Sequence, residues 1–260
     1  MRKSAISAGN SYSMKKIYFL SDAHLGSLVI ENKREHEKKL VHFLDFIKAD
    51  ASEIFLLGDM FDFWFEYKSV VPKGHVRFLG KLAEMVDMGI KVHFFIGNHD
   101  IWTFGYLEQE VGVIVHREPT AFEFDGKKFF IAHGDGLHET SNGFKFIRWI
   151  FHNRCLQKMF SWTPPRLGLA FGNQWSKSNR KKDIERNYGY QGEENEILVR
   201  FAKKHSETNK VDYFIFGHRH ILLDLQLANK SRMMIIGDWL SHFSYAVWDG
   251  KKLQLNQFEN

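Results

Sequence analysis

The chain is poor in cysteine and in long apolar runs. A single cysteine among 260 residues excludes an intrachain disulfide framework and fits a reducing compartment. Cys155 stands among apolar residues and far from any base motif, which predicts a buried structural thiol. No apolar run approaches the roughly 20 residues that a membrane-spanning helix needs. The sequence therefore offers no candidate for a membrane span or a disulfide-stapled scaffold.

The N-terminal segment lacks the apolar core of a signal peptide. Residues 1–13 contain two early basic residues, but no apolar stretch follows them. We expect a flexible extension over 1–13 and one folded domain over 14–260. The chain is 44% hydrophobic and 26% charged, which is an ordinary globular composition with ample material for a core.

The net charge of +5 is concentrated in one segment. Residues 139–205 hold 13 Lys or Arg and 6 Asp or Glu, a local charge of +7, so the rest of the chain is near −2. The same segment has a helical pattern, divided by Pro164-Pro165, and it interrupts a series of strands. We therefore predict a helical insertion, a lid, over about 138–205.

Five apolar segments share one design. Each is a short run that ends in Gly or Ser followed by Asp, Asn or His, as in KIYFLSDAH, EIFLLGD, VHFFIGNHD, KFFIAHGD and YFIFGHRH. Such runs are typical of strands buried on both faces. Helical patterns over 31–49 and 74–88 lie between the early strands, and five consecutive strands are predicted after residue 210. This alternation predicts an α/β fold whose binding crevice lies beyond the strand ends.

Oxygen and imidazole side chains follow all five of these strands. A single strand-end Asp is more often a turn or capping residue, and a single His is more often a surface or core residue. Five strand ends that all carry such side chains are harder to explain in this way, because burying polar groups together costs free energy unless they share a partner. Carboxylate, amide and imidazole donors without thiolate suit Mn, Fe or Zn. The seven side chains are Asp22, His24, Asp59, Asn98, His133, His218 and His220.

Seven donors are too many for one tetrahedral ion and suit two ions that share one carboxylate. Two metals about 3.5–4 Å apart are a common apparatus for phosphoester displacement. They deprotonate a bridging water at neutral pH and offset charge on the phosphoryl oxygens. The pattern therefore predicts a phosphoester hydrolase.

The ordered motifs DAH, GDMFD, GNHD, HGD and GHRH resemble those of the calcineurin-like metallophosphoesterase superfamily, from residue 16 to about 245. The resemblance implies a four-layer αββα sandwich of two mixed β-sheets flanked by helices. It also implies two divalent ions, with Mn expected and Fe, Zn or Mg as other options. The first ion would be held by Asp22, His24 and His220, the second by Asn98, His133 and His218, with Asp59 between them.

The same resemblance assigns roles to the residues around the ions. His99 would contact the phosphate or protonate the leaving oxygen, and Asp100 would orient the His99 imidazole by a hydrogen bond. Asp62 and Asp135 each keep two interpretations, a contact to a metal-binding histidine or a turn residue. For Asp62 the contact to a histidine is favoured.

The insertion bears on the substrate. Residues 143–175 contain eight Phe or Trp, and a helix over 143–160 would place Lys145, Arg148 and His152 on one stripe. An ordinary lid helix packed on the core is one interpretation. A lid for a ligand with acyl chains and phosphates, at an anionic membrane surface, is a second. Stacking of single-stranded nucleic acid is a third.

DAHLG, GDMFDFW and the basic-aromatic insert together resemble the UDP-2,3-diacylglucosamine diphosphatases of lipid A synthesis. That family implies cleavage to UMP and 2,3-diacylglucosamine 1-phosphate, by attack of a metal-bridging hydroxide on the uridine-side phosphorus. It implies a cytoplasmic enzyme at the inner face of the cell membrane, with no obligate protein partner. The substrate-binding residues that it suggests here are Trp64, Ser178, Asn179 and Lys182.

The chain departs from that family at one motif, since it has GNHD where the best-known members have GNRD. An arginine there would be a fixed cation, whereas His99 can also donate and regain a proton. A related phosphodiesterase or nuclease that acts on nucleotides or nucleic acid therefore stays open as the alternative.

Overall fold

Two mixed β-sheets form the centre of the structure, a computed structural model that describes residues 15–137, 142–185 and 189–259. The first sheet contains the parallel strands β1 (Lys16–Leu20), β2 (Ala51–Leu56), β3 (Lys91–Phe95) and β4 (Ile114–His116). Two antiparallel strands, β10 (Ser244–Trp248) and β11 (Leu253–Gln257), extend it beside β1. Its strand order is β11-β10-β1-β2-β3-β4.

The second sheet has three parallel strands between two antiparallel edges. The parallel strands are β6 (Lys127–Ala132), β7 (Tyr213–Phe216) and β9 (Arg232–Ile236), and the edges are β5 (Thr120–Phe124) and β8 (Leu222–Gln226). The strand order is β5-β6-β7-β9-β8. The strands predicted after residue 210 are confirmed, whereas β4 and β5 were not predicted from the sequence.

Helices cover the outer face of each sheet. The first sheet is covered by α1 (Lys33–Ile47) and α2 (Val76–Asp87), and the second by α6 (Ile197–Thr208). In α1, Leu40, Phe43, Leu44 and Ile47 recur every three or four residues and are buried, as expected for an amphipathic helix. Aromatic and aliphatic side chains, including Phe19, Phe55 and Trp248, fill the space between the sheets. The predicted four-layer αββα sandwich is confirmed.

Three helices form most of the predicted insertion: α3 (Asn142–His152), α4 (Arg154–Phe160) and α5 (Pro165–Glu185). The pattern over 143–160 is broken because Asn153 caps α4 through the backbone N–H groups of Cys155 and Leu156. Pro165 starts α5, where its missing N–H costs no hydrogen bond. The insertion boundaries stay a prediction. The helix α6 begins inside them, ends beyond them, and packs as an outer layer of the second sheet.

Two predictions outside the core have different outcomes. Cys155 is exposed, so the prediction of a buried thiol is wrong. The two-turn helix α4 buries none of its residues, which explains the exposure despite the apolar neighbours. The predicted extension over 1–13 lies outside the described residues. Within the described ranges, no helix is both long and apolar enough to cross a bilayer.

Candidate metal centre and active site

The ends of β1, β2, β3, β6 and β7 bring the predicted ligands together at one edge of the two sheets. Three groups of side chains each place their potential ligand atoms within 4.8 Å of one another. They are Asp22, His24 and His220; His24, Asp59 and His99; and Asp59, His133 and His218. The first group is the predicted first-ion set, and the third joins Asp59 to two of the predicted second-ion ligands. Their use as ligands remains a prediction.

The backbone at this edge is strained. Five of the seven predicted ligands have a positive φ, between 44° and 66°, a region that non-glycine residues rarely adopt. Such strain costs on the order of 1–3 kcal/mol per residue and clusters at functional sites. Gly97 is required for a related reason, because a Cβ there would overlap the Asp59 carboxylate. The five strained residues are Asp22, His24, Asp59, His218 and His220.

The Asp22 carboxylate is fully buried and only partly neutralised by the protein. Its Oδ2 accepts hydrogen bonds from the Ser21 hydroxyl and from the His218 backbone N–H, the latter at 2.9 Å. Its Oδ1 lies 3.4 Å from His220 Nε2 and has no hydrogen-bond partner among the described residues. Burial raises the pKa of Asp22, but the nearby imidazoles of His220 and His24 outweigh burial and hold the pKa at about 2. A buried, ionised oxygen of this kind is suited to bind a cation.

Asp59 lies between the two histidine groups. Its Oδ2 is 3.4 Å from His133 Nε2 and 3.8 Å from His24 Nε2, and its Oδ1 accepts the His99 backbone N–H at 2.8 Å. Burial raises the pKa of Asp59, but the charges of His133 and His99 lower it well below its ordinary value. The buried amide oxygen of Asn98 has no hydrogen-bond partner among the described residues. The side chains present therefore fit two divalent ions with Asp59 between them.

Hydrogen bonds on the far side of two imidazoles turn the other nitrogen toward the centre. His133 donates from Nδ1 to the Leu57 carbonyl oxygen at 2.7 Å, and His220 donates from Nδ1 to Asp238 Oδ2 at 3.1 Å. Both residues therefore present Nε2 to the centre, as metal-binding histidines do. Burial and the neighbouring His133 lower the pKa of His218 to about 4, so its imidazole is neutral and its Nδ1, 3.2 Å from His133 Nε2, can act as a ligand.

Asp238, which was not predicted from the sequence, accepts the hydrogen bond that orients the predicted ligand His220. It ends β9 in the segment IIGD (235–238), which repeats the apolar run, glycine and aspartate of the predicted strand ends. That signal could have identified it, but no metal-motif position corresponds to Asp238.

The structure separates the roles expected for His99 and Asp100. His99 donates from Nδ1 to the carbonyl oxygen of Asp62 at 2.8 Å, so the predicted hydrogen bond from His99 to Asp100 is wrong. Asp100 is fully buried and accepts the backbone N–H groups of Gly97 at 2.7 Å and Met60 at 2.8 Å. The carboxylate therefore holds the loops after β2 and β3 together, and among the described residues no hydrogen bond joins it to an imidazole. Its catalytic role stays a prediction.

Asp62 and Asp135 make the contacts that decide between their two interpretations. The Asp62 Oδ1 lies 3.5 Å from His24 Nδ1, on the side of the ring away from the centre, which favours support of a metal-binding histidine. Asp135 accepts a hydrogen bond from the guanidinium of Arg148 in α3. Among the described residues, the side-chain hydrogen bond of Asp135 therefore joins it to the insertion and not to a histidine ring.

An apolar cavity of about 240 Å³ opens beside Asn98, His99 and His218. Aromatic side chains from α3, α5 and the loops after β2 and β3 line it. Trp64 does not, because it is fully buried, stacks on Phe61 at 4.4 Å and donates from Nε1 to Glu66 at 3.1 Å. The prediction that Trp64 binds substrate is wrong. The aromatic lining residues are Phe63, Trp102, Phe151, Phe171 and Trp175.

The remaining predicted substrate contacts lie in α5. The backbone of α5 includes Ser178, Asn179 and Lys182, but their side chains lie outside the described part of the chain. Substrate binding by these three residues stays a prediction.

Comparisons with known proteins show which proteins the chain is similar to. Residues 15–222 match the model of the family described as Calcineurin-like phosphoesterase. The chain is 43% identical to UDP-2,3-diacylglucosamine hydrolase of Porphyromonas gingivalis, over 94% of this chain and 98% of that protein. It is 26% identical to UDP-2,3-diacylglucosamine hydrolase of Haemophilus influenzae, over 89% and 93%. A solved structure of Yfce, a phosphoesterase from E. coli, matches at 15% identity and a TM-score of 0.46, covering 93% and 92%.

Proposed function

Because the chain belongs to the calcineurin-like phosphoesterase family, we propose that it hydrolyses the diphosphate of UDP-2,3-diacylglucosamine in lipid A synthesis. The products are UMP and 2,3-diacylglucosamine 1-phosphate. The observation that carries this proposal is the similarity, over nearly the full length of both chains, to the Porphyromonas gingivalis hydrolase. The apolar cavity beside the candidate metal centre supports the proposal that the substrate carries acyl chains.

The proposed centre uses the residues that converge at the strand ends. Asp22, His24 and His220 hold the first ion, and Asn98, His133 and His218 hold the second, with Asp59 between the two. Bound divalent ions, Mn²⁺ in this proposal, lower the pKa of a water molecule and offset negative charge on phosphoryl oxygens. The buried Asp22 Oδ1 and Asn98 Oδ1, both without a partner among the described residues, support this assignment.

His99 is the proposed phosphate contact. Its Nδ1 is occupied by the Asp62 carbonyl oxygen, so only Nε2 remains for a substrate in the cavity that His99 lines. Because Nδ1 already carries a proton, Nε2 can donate to a phosphoryl oxygen only in the imidazolium form, in which both ring nitrogens are protonated. In that form His99 offsets charge on the phosphoryl oxygen as the charge develops, the role that the arginine of GNRD would have.

The cavity wall is suited to an acyl chain. Phe151 and Trp175 form an edge-to-face pair at 5.5 Å between α3 and α5, and Phe63 and Trp102 face them from the body of the protein. Burial of an acyl chain against these rings removes apolar surface from water. The wall also places apolar rings beside the centre, and electrostatic interactions are stronger next to apolar groups than in bulk water.

We also propose that the insertion meets the anionic inner face of the cell membrane from the cytoplasm. Trp162 is 75% exposed, and other large apolar side chains of α3–α5 are exposed beside basic ones. Exposed apolar surface together with basic residues is typical of a surface that binds anionic lipid. The apolar residues are Phe146, Trp149, Met159, Trp162 and Leu167, and the basic ones are Lys145, Arg154, Lys158 and Arg166.

The test is product release by the purified protein with Mn²⁺. We expect UMP from UDP-2,3-diacylglucosamine, and no UMP from the Asp59→Ala variant. Single-stranded DNA and bis-p-nitrophenyl phosphate serve as rival substrates. If neither the wild type nor Asp59→Ala releases UMP from the lipid substrate, and the wild type cleaves DNA, the result would contradict this proposal and indicate a nuclease.

A further inference from the structure

Small residues let α5 approach the loop after β2 closely. Gly168, Gly172 and Ser176 follow one another at intervals of four residues and therefore lie on one face of the helix. A Cβ at Gly168 would overlap the Tyr67 hydroxyl, and one at Gly172 would overlap the Phe63 ring. At the third position the contact becomes a hydrogen bond to the same loop.

Ser176 is buried in a helix whose neighbouring residues are exposed. Ser176 is 1% exposed, whereas Trp175 and Lys177 on either side are exposed. Its Oγ donates to Asp62 Oδ2 at 2.7 Å. A hydroxyl that donates to a buried carboxylate makes a charge-assisted hydrogen bond, which is stronger than one between neutral groups. This contact joins parts of the chain that are 114 residues apart.

Asp62, which accepts the Ser176 hydrogen bond, also contacts two histidines at the centre. Its Oδ1 lies 3.5 Å from His24 Nδ1, and its carbonyl oxygen accepts the His99 Nδ1–H at 2.8 Å. Its backbone N–H is held as well, by the Leu25 carbonyl oxygen at 3.0 Å. A small displacement of Asp62 would therefore turn both imidazoles.

We propose that Ser176 is a positioning residue that couples the docking of α5 to the metal centre through Asp62. The inference rests on the proposed function only in taking His24 as a metal ligand. A carboxylate on the far nitrogen of a metal-binding histidine fixes its orientation and raises the basicity of the near nitrogen. Ser176 in turn fixes that carboxylate. Since coupling between two sites is reciprocal, metal binding must favour the docked helix as much as docking favours the metal.

The variant Ser176→Ala removes only the hydroxyl, and Ser161→Ala is its matched control. Ser161 lies in the same insertion, and its hydroxyl donates to the Lys158 carbonyl oxygen, away from the centre. Two measurements need no substrate. One is calorimetric titration of the metal-stripped protein with Mn²⁺, and the other is hydrogen exchange of α5 with and without Mn²⁺.

We expect Ser176→Ala to bind one of the two ions about tenfold more weakly, as for loss of an outer-shell partner. The protection that Mn²⁺ confers on α5 should also disappear. Ser161→Ala should match the wild type in both respects. The double variant Ser176→Ala with Asp62→Asn should bind Mn²⁺ no more weakly than Asp62→Asn alone, because both changes break one chain of contacts.

Unchanged Mn²⁺ affinity and unchanged protection in Ser176→Ala would overturn the proposal. A lower Tm with unchanged affinity would overturn it too, since it would reduce Ser176 to a packing residue. Failure here is distinguishable from failure of the proposed function. If Ser176→Ala leaves Mn²⁺ affinity and α5 protection unchanged while the wild type releases UMP, only the role of Ser176 is contradicted. If Ser176→Ala weakens both while the wild type releases no UMP, only the proposed substrate is contradicted.

Discussion

His99 donates a hydrogen bond from Nδ1 to the backbone carbonyl oxygen of Asp62, at 2.8 Å. A backbone oxygen can only accept, so this contact fixes the proton on Nδ1 and leaves Nε2 for the cavity. His99 also packs edge-to-face against His24, with ring centroids 4.8 Å apart. The imidazole is therefore held in one orientation beside the centre, by groups other than its sequence neighbour Asp100.

His99→Ala should keep both metal ions and lose most turnover. The substitution removes the phosphate contact but leaves all seven proposed ligands, so kcat should fall about 100- to 1000-fold, as for loss of one charge-stabilising donor. Steady-state kinetics and the metal-to-protein ratio check the two halves of this prediction. A loss of metal from His99→Ala would show that this imidazole is itself a ligand.

Asn98→Ala should lose the second ion and keep the first. The Asn98 amide oxygen is buried and has no other partner among the described residues, whereas Asp22, His24 and His220 are untouched by the change. The metal-to-protein ratio should fall from about two to about one. Asn98→Asp retains an oxygen ligand and is the control, with two ions expected. Two ions bound to Asn98→Ala would contradict the assignment.

Acid should destabilise the fold partly through His116, which is not one of the seven predicted ligands. Burial and the neighbouring His93 lower the pKa of His116 to about 4, and its Nε2 is 2.9 Å from His93 Nδ1. The unfolded chain, with a pKa near 6.5, takes up the proton first. The stabilisation is therefore complete above about pH 6.5 and is lost as the pH falls toward 4, by at most about 3 kcal/mol.

His116→Gln keeps a polar partner for His93 and removes this titration. Its free energy of unfolding, from chemical denaturation between pH 7 and pH 4, should fall less steeply than that of the wild type. The difference between the two curves isolates His116 from the other titrating groups. Parallel curves would contradict the prediction.

Trp162→Glu should weaken binding to anionic lipid vesicles. It replaces a 75% exposed ring by a charge of the same sign as the lipid headgroups. Phe46→Glu is the matched control, because Phe46 is 62% exposed but lies on α1, outside the insertion. Co-sedimentation with phosphatidylglycerol vesicles should fall severalfold for Trp162→Glu only. Equal loss in both variants would indicate a general charge effect and no docking face on the insertion.

The strand ends could be predicted because each carries its own local signal. An apolar run followed by glycine and a polar residue indicates a buried strand and its end, and five repetitions indicate one shared edge. Glycine at position 97 and the positive φ of Asp59 show why these local sequences suit the site, since they permit the close approach of two loops.

The predictions that proved wrong concern features that depend on the surroundings of a side chain in the fold and not on its neighbours in sequence. Asp100 ends the motif GNHD and Trp64 closely follows the motif GDMFD, yet both side chains are fully buried, and Cys155 has apolar neighbours yet is exposed. The contact between Ser176 and Asp62 spans 114 residues and has no local pattern. Such contacts are set by packing between elements, which periodicity alone does not reveal.

The position of a solvent oxygen in the products tests the proposed reaction most directly. The Mn²⁺-loaded protein would hydrolyse UDP-2,3-diacylglucosamine in water enriched in ¹⁸O, and mass spectrometry would locate the label. Attack of water on the uridine-side phosphorus predicts one ¹⁸O in UMP and none in 2,3-diacylglucosamine 1-phosphate. Label in the sugar phosphate, or no UMP at all, would contradict it.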